Sequence, residues 1–233
     1  MRASRSWDDY FIPGTHVLRN KFTSPDKPYG ETDPEALRAL EEGASAIRII
    51  ELAARPIHGR FDYAHMKAIH RHIFQDVYDW AGQERTAPVG QFLVKTGPDV
   101  VRYPVGDPAA PQIPYQYYPA GPSLTEAAEN QYRRLAAKNL LRGLDRDAFA
   151  VELAEAWGEL NVIHSFREGN TRAQFVFFSQ LCEQAGWRIE ESHFAPGTPG
   201  RDEFVAARFY SQATGSNERL AMLLTGEIVP RSR

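Results

Sequence analysis

The sequence predicts an all-α domain built as a helical bundle around one buried central helix, with β structure confined to a small hairpin. Three observations carry this. Apolar residues recur at helical spacing along most of the chain. The stretch from Thr171 to Ala185 is apolar over more than one face, the pattern of a helix covered on all sides. Eight of the 16 prolines crowd between Arg85 and Pro122, so one segment is barred from long helix, and that segment also holds the β-prone runs.

Taken in order, Trp7 to Pro28 is aromatic and turn-rich, which makes residues 1–32 an irregular arm packed onto a domain spanning 33–233. Asp33-Pro34 opens the first helix as N-cap and first-turn proline, and Leu37, Leu40, Ala44, Ile47 and Ile50 form its apolar stripe up to Arg55-Pro56. A second helix runs from Asp62 to about Tyr78 and buries Met66, Ile69, Ile73 and Val77. In the proline-rich segment, Gln91 to Lys95 and Val100 to Tyr103 flank Thr96-Gly97-Pro98-Asp99 and read as a hairpin, with the remainder, through Tyr115, Tyr117 and Tyr118, an insertion. Ser123-Leu124-Thr125-Glu126 matches a capping box opening a helix that runs to about Leu141.

From Asp147 to Ile163 the residues Phe149, Leu153, Trp157, Leu160 and Ile163 keep helical spacing, with Asp145 or Asp147 as N-cap. The central helix, Thr171 to Ala185, stops at Gly186. After a Pro/Gly loop from Phe194 to Arg201, helices Asp202 to Ala213 and Ser216 to Leu224 close the chain around Gly215.

With 233 residues, 42% of them hydrophobic, the chain can bury one sizeable core. A net charge of -3, from 27 basic and 30 acidic residues, carries no signature of nucleic acid or membrane and leaves protein or small molecule as the partner class. The lone cysteine, Cys182, lies on the central helix and excludes an intrachain disulfide. Neither a basic-then-apolar leader nor a membrane-length apolar run is visible, so the expectation is a soluble cytoplasmic protein. His65, His70 and His72 do not share a face as an i, i+4 pair would, and they read as solvated or capping rather than as metal ligands.

Chemistry concentrates in His164-Ser165-Phe166-Arg167-Glu168-Gly169-Asn170-Thr171-Arg172, the turn between two helices. Glu168-Gly169-Asn170 is a short loop whose Gly and Asn tolerate left-handed backbone angles. Its amide N–H groups can converge at a helix N-terminus into a phosphate nest. Arg172 sits in the first turn, where a cation is disfavoured unless an anion lies nearby. Glu168 offers the single hard oxygen ligand that, with phosphate oxygens and water, completes a Mg²⁺ site. His164 stands across the loop as a general base for a hydroxyl. The plain alternative is a dipole-stabilised histidine beside a surface Glu168–Arg172 pair.

This stretch resembles the signature of Fic-domain proteins, H-P-F-x-(D or E)-G-N-G-R-x-x-R. The resemblance implies an all-α fold and transfer of AMP from Mg·ATP to a Tyr, Ser or Thr hydroxyl of a target protein. By the same resemblance His164 is the base, Phe166 anchors the loop, and Glu168 holds magnesium. Gly169, Asn170 and Thr171 line the phosphate nest and Arg172 pairs with the phosphates. Val77-Tyr78-Asp79-Trp80-Ala81-Gly82 is also Fic-like.

In this family a hairpin called the flap, here Phe92, Leu93, Val94 and Lys95, pairs its edge with an extended target segment. Ser165 replaces the usual proline, Thr171 the second glycine, and Phe175 the final arginine, which in the family helps hold the terminal phosphate. Transfer of UMP or a phosphoryl group, or a binding module without turnover, therefore stand as alternatives. Fic proteins are often restrained by a helix bearing S/T-x-x-x-E-G/N, in the same chain or in a separate antitoxin. Glu42-Gly43 has Arg38 where Ser or Thr is needed, so any restraint is expected from a partner chain. The oligomeric state is left open.

Overall fold

A computed structural model describes residues 5–195 and 197–231. In chain order these form α1 (Pro34–Ala54), α2 (Tyr63–Phe74), β1 (Leu93–Pro98), β2 (Gln112–Tyr117), α3 (Pro122–Ala137), α4 (Arg146–Ile163), α5 (Asn170–Ala185), β3 (Trp187–Ile189), α6 (Pro199–Thr214), α7 (Glu218–Glu227) and β4 (Ile228–Pro230). The fold is mostly helical, with α5 central; β1 pairs antiparallel with β2, and β3 with β4. The second ribbon is not expected from the sequence, because three-residue strands are too short to show a period.

The helix caps follow local chemistry. Asp33 accepts from the N–H groups of Glu35 (2.8 Å) and Ala36 (3.1 Å), and Asp145 from Ala148 (2.9 Å). Gly186 takes the left-handed conformation (φ 96°) that ends α5. The capping box at Ser123 does not form: Gly121 is the N-cap of α3, Pro122 opens its first turn, and the Thr125 hydroxyl donates to Glu84 at 2.7 Å. The second helix ends at Phe74 rather than near Tyr78, and Val77 and Tyr78 are buried in a turn hydrogen-bonded to the Phe74 carbonyl.

The stripe on α1 is largely inverted. Leu37 is buried, but Leu40, Ile47 and Ile50 are 42%, 61% and 69% exposed, and the inward face is Leu37, Glu41, Ser45 and Leu52. Glu41 and Ser45 face inward because they bind an arginine of α5, so a polar contact outweighs the apolar period.

The hairpin also differs from expectation. Asp99, 1% exposed, accepts from the N–H groups of Val101 (3.2 Å) and Arg102 (3.1 Å), which turns Val100 to Tyr103 out of the ladder. The partner strand is instead Gln112–Tyr117, in the segment read as an insertion, with Leu93 opposite Tyr117 and Lys95 opposite Tyr115. Prolines 98 and 114 fit because both strands of a two-stranded ribbon are edges.

The core gathers Trp157, Phe177, Phe178, Phe204 and Leu181 around α5, with Trp157 stacked on Phe178 at 4.6 Å. Each such side chain contributes roughly 1.5–3 kcal/mol by burial. Cys182 lies in this core as a free thiol whose pKa burial pushes up. Among the described residues no helix is long and apolar enough to cross a membrane.

Candidate active site

Helix α4 ends at His164, which adopts left-handed backbone angles (φ 52°, ψ 59°) while its N–H still bonds to the Leu160 carbonyl at 3.2 Å. A residue bearing Cβ resists that conformation by about 1–2 kcal/mol. Arg85 holds it there. This side chain is 1% exposed; its Nε donates to the His164 carbonyl at 2.8 Å and its Nη2 to those of Tyr118 and Ile163. The Arg85 N–H adds a bond to the Ser165 carbonyl at 2.9 Å. A guanidinium at the negative end of the α4 dipole thus fixes where the imidazole starts. Burial lowers the pKa of Arg85 to about 10, which leaves it charged near neutrality.

Beyond His164 the chain is pinned twice. Phe166 is buried and stacked on His70 with ring centroids 3.8 Å apart, and the Asn170 amide bonds both the N–H (2.9 Å) and the carbonyl (2.7 Å) of Phe166. The side chain of Asn170 is therefore spent on closing the loop, and only its N–H remains for a ligand. Nδ1 of His70 accepts from the Gly82 N–H at 2.9 Å, so Nε2 carries the proton and donates to the Glu168 carbonyl at 2.9 Å. Here expectation is corrected: His70 and His65 are buried rather than solvated, and burial lowers the pKa of each.

Helix α5 starts from Gly169 (φ 78°), whose carbonyl accepts the first helical bond from Ala173 at 3.1 Å. The N–H groups of Asn170, Thr171 and Arg172 find no acceptor among the described residues. They form the open positive end of a 16-residue helix that begins one short loop after His164.

The His164 ring is 4% exposed and lies under the hairpin, 4.3 Å from the Tyr117 ring. Among the described residues neither ring nitrogen has a hydrogen-bond partner. Burial, then the charges of Lys95, Arg85 and Arg208, hold its pKa well below the ordinary value, so the free imidazole is neutral at physiological pH. Glu168 is half-buried, and Oε1 accepts its neighbour Gly169's N–H at 3.0 Å. Burial alone would raise its pKa, but Lys95, the Gly169 N–H, Arg172 and Arg167 outweigh that and keep it a carboxylate. It meets the electronic demand of a magnesium ligand. Since no group of three or more His, Cys, Asp or Glu converges among the described residues, such an ion would take its other ligands from phosphate and water.

Not every expected residue points where the pattern suggests. Arg172 bonds to Ser45 Oγ at 2.9 Å, pairs with Glu41 and lies 4.6 Å over the Phe74 ring, so it is already occupied by α1. Thr171 Oγ1 accepts from Arg208 at 2.9 Å. On the hairpin, Leu93 packs inward with Tyr115 and Tyr117, and Lys95 turns toward Glu168 and His164, where burial depresses its pKa. Phe92 and Val94 are 58% and 49% exposed. Beside them an open groove of about 750 Å³ runs between the N-terminal arm and β1, lined by Arg5, Trp7, Pro88, Phe92 and Val94.

Sequence reasoning missed Arg85, His70, Glu41 and Arg208, which reach the site from four other segments. No local spacing marks them; only the helix packing brings them in.

The sequence model of the Fic/DOC family matches residues 60–182. The probable protein adenylyltransferase y4lH of Sinorhizobium fredii is 36% identical over 190 residues, covering 81% of this chain and 82% of its own. Protein adenylyltransferase VbhT of Bartonella schoenbuchensis is 35% identical over 183 residues, 78% of this chain and 32% of VbhT. Among solved structures, the BepC effector of Bartonella tribocorum, crystallised with AMPPNP, aligns over 97% of this chain and 98% of its own with a TM-score of 0.74; at 24% identity this is a likeness of fold. With a family match over more than half of its length and a relative above one-third identity, this chain belongs to the Fic/DOC family.

Proposed function

We propose that this protein transfers AMP from Mg·ATP to a Tyr, Ser or Thr hydroxyl of a target protein. The observation that supports the reading is a buried, neutral His164 one short loop before three α5 N–H groups that lack acceptors among the described residues, with Lys95, Arg85 and Arg208 close enough to depress its pKa. Such a surround suits a polyanion. Relatives named as protein adenylyltransferases support the same choice of reaction.

In the proposed reaction the imidazole takes the hydroxyl proton as the oxygen attacks the α-phosphorus in line. The new O–P bond forms, the bond from the α-phosphorus to the bridging oxygen breaks, and pyrophosphate leaves. The α5 N–H groups hold the α-phosphate and stabilise charge on its oxygens, the larger share of catalysis for phosphoryl chemistry. Glu168 is the residue that would hold magnesium, which when bound neutralises charge on the departing pyrophosphate.

Because the imidazole is buried with the Tyr117 ring packed against it, the target hydroxyl gains access by displacing that ring. The target docks as an extended segment along the free edge of β1, beside the groove at Phe92 and Val94. Backbone pairing of this kind fixes the hydroxyl position with little demand on target sequence.

The test is incubation with a cell lysate and ATP labelled on the α- or the γ-phosphate. Wild type is expected to label protein from α-labelled ATP only, and His164→Ala to lose about 10²–10⁴-fold of that rate. His164→Asn is a companion, since Asn tolerates the left-handed backbone at this position. Equal labelling by wild type and both variants, or label arriving only from the γ-position, rules the assignment out.

A further inference from the structure

Arg208 stands on α6 and is 6% exposed. Its guanidinium donates to three neutral oxygens: Thr171 Oγ1 at 2.9 Å, Gln174 Oε1 at 3.3 Å and Asn161 Oδ1. Among the described residues its buried Nε has no acceptor and no carboxylate pairs with it. Burial lowers its pKa to about 10, so it keeps its charge at neutral pH. A buried cation without an anion is strongly disfavoured. Arg85 likewise leaves one buried nitrogen, Nη1, without an acceptor among the described residues, but it donates to three carbonyls, two of them at the C-terminal end of α4, whose dipole favours a cation. Arg208 has no such compensation.

Its position says what would supply it. Two of its three partners, Thr171 and Gln174, lie in the first turns of α5, the helix whose opening N–H groups lack acceptors. His164 feels its charge. The side chain is aimed by Phe204, one turn earlier on α6, over whose ring the guanidinium sits at 5.2 Å. Phe204 in turn packs edge-on against Phe175 at 6.0 Å, and Phe175 against Trp157 at 5.5 Å. The Fic signature has an arginine at position 175; here that position belongs to an aromatic cluster that supports a cation arriving from another helix.

We infer that Arg208 is a polyphosphate-binding residue, supplying from α6 the cation that residue 175 does not. The inference rests on reading this site as one for a nucleotide. Binding replaces the weak neutral contact to Thr171 with charge-assisted bonds to phosphate oxygen and gives the buried Nε an acceptor.

Calorimetric titration of the full chain with Mg²⁺ present, using ATP, adenosine and sodium tripolyphosphate as separate probes, tests it. Arg208→Gln is expected to weaken ATP and tripolyphosphate by about tenfold or more while adenosine affinity stays unchanged. Arg208→Lys, which keeps the charge, falls between, and it carries the comparison if the Gln variant does not melt cooperatively. Equal weakening of all three probes marks a structural role and overturns the inference, as does an unchanged ATP affinity. Arg208-dependent binding of tripolyphosphate with no affinity for ATP or adenosine upholds Arg208 and removes the nucleotide reading. Wild type that binds no probe overturns the inference as well.

Discussion

Glu41 of α1 forms an ion pair with Arg172 in the first turn of α5, and the same carboxylate accepts the Tyr78 hydroxyl. Arg172 therefore cannot meet a phosphate without sharing it with a carboxylate already in place. Glu41→Gln keeps a hydrogen-bonding side chain of the same length and removes the negative charge. Partly exposed pairs of this kind are worth about 0.2–1 kcal/mol, so the variant is expected to bind Mg·ATP up to about fivefold more tightly. Titration with ATP checks it. Weaker binding would mean that Glu41 serves to hold Arg172 in position rather than to compete for it.

Gly169 meets two constraints at once. Its φ of 78° is left-handed, and a Cβ built there would lie 2.2 Å from Cε2 of Phe74, a ring with no exposure. Gly169→Ala combines a conformational cost with overpacking, together on the order of 3 kcal/mol. At this chain length that lowers the melting temperature by roughly 6–12 °C. A thermal melt within a degree or two of wild type would show that the loop relaxes freely, against the tight setting of Phe74.

Legibility in the sequence followed the range of the interactions involved. The helix from Asp145 to His164, the loop and α5 were readable because caps, Gly and apolar period all act within a few residues. The inner face of α1 was not, since Glu41 and Ser45 are turned inward by a partner 131 and 127 residues away. The second hairpin strand was missed for a related reason: the Asp99 turn uses side-chain bonds to Val101 and Arg102 that look, in sequence, like the start of a β run. Within the candidate site the signature singles out His164 and Glu168, whereas Arg85, His70 and Arg208 are set by tertiary packing alone.

Arg85 binds three carbonyls with one planar group, two of them at the end of α4. Lysine cannot span that arc, so Arg85→Lys leaves at least one buried carbonyl unpaired, at about 1–3 kcal/mol each. The expected outcome is a loss of stability of that order in urea denaturation. A larger fractional loss of target labelling should accompany it, because the His164 backbone is no longer held. Reduced stability with the labelling rate per folded molecule unchanged would confine Arg85 to a scaffolding role.

His70 gives the fold a pH dependence whose sign follows from its environment. Burial, partly opposed by the Glu168 carbonyl, lowers its pKa from 6.5 to about 4. Near pH 7 both folded and unfolded chains carry it neutral. As pH falls below 6.5 the unfolded chain takes up a proton that the folded chain refuses, because protonated Nδ1 can no longer accept from Gly82. Stability is thus complete above 6.5 and drains away toward pH 4, by about 2 kcal/mol at pH 5 and on the order of 3 kcal/mol in all. His164, also held well below its ordinary pKa, acts in the same direction. Glutamine can accept from Gly82 and donate to Glu168 without titrating, so His70→Gln is expected to flatten the fall between pH 7 and pH 5 in parallel urea titrations. Identical slopes for the two proteins would place the acid sensitivity elsewhere.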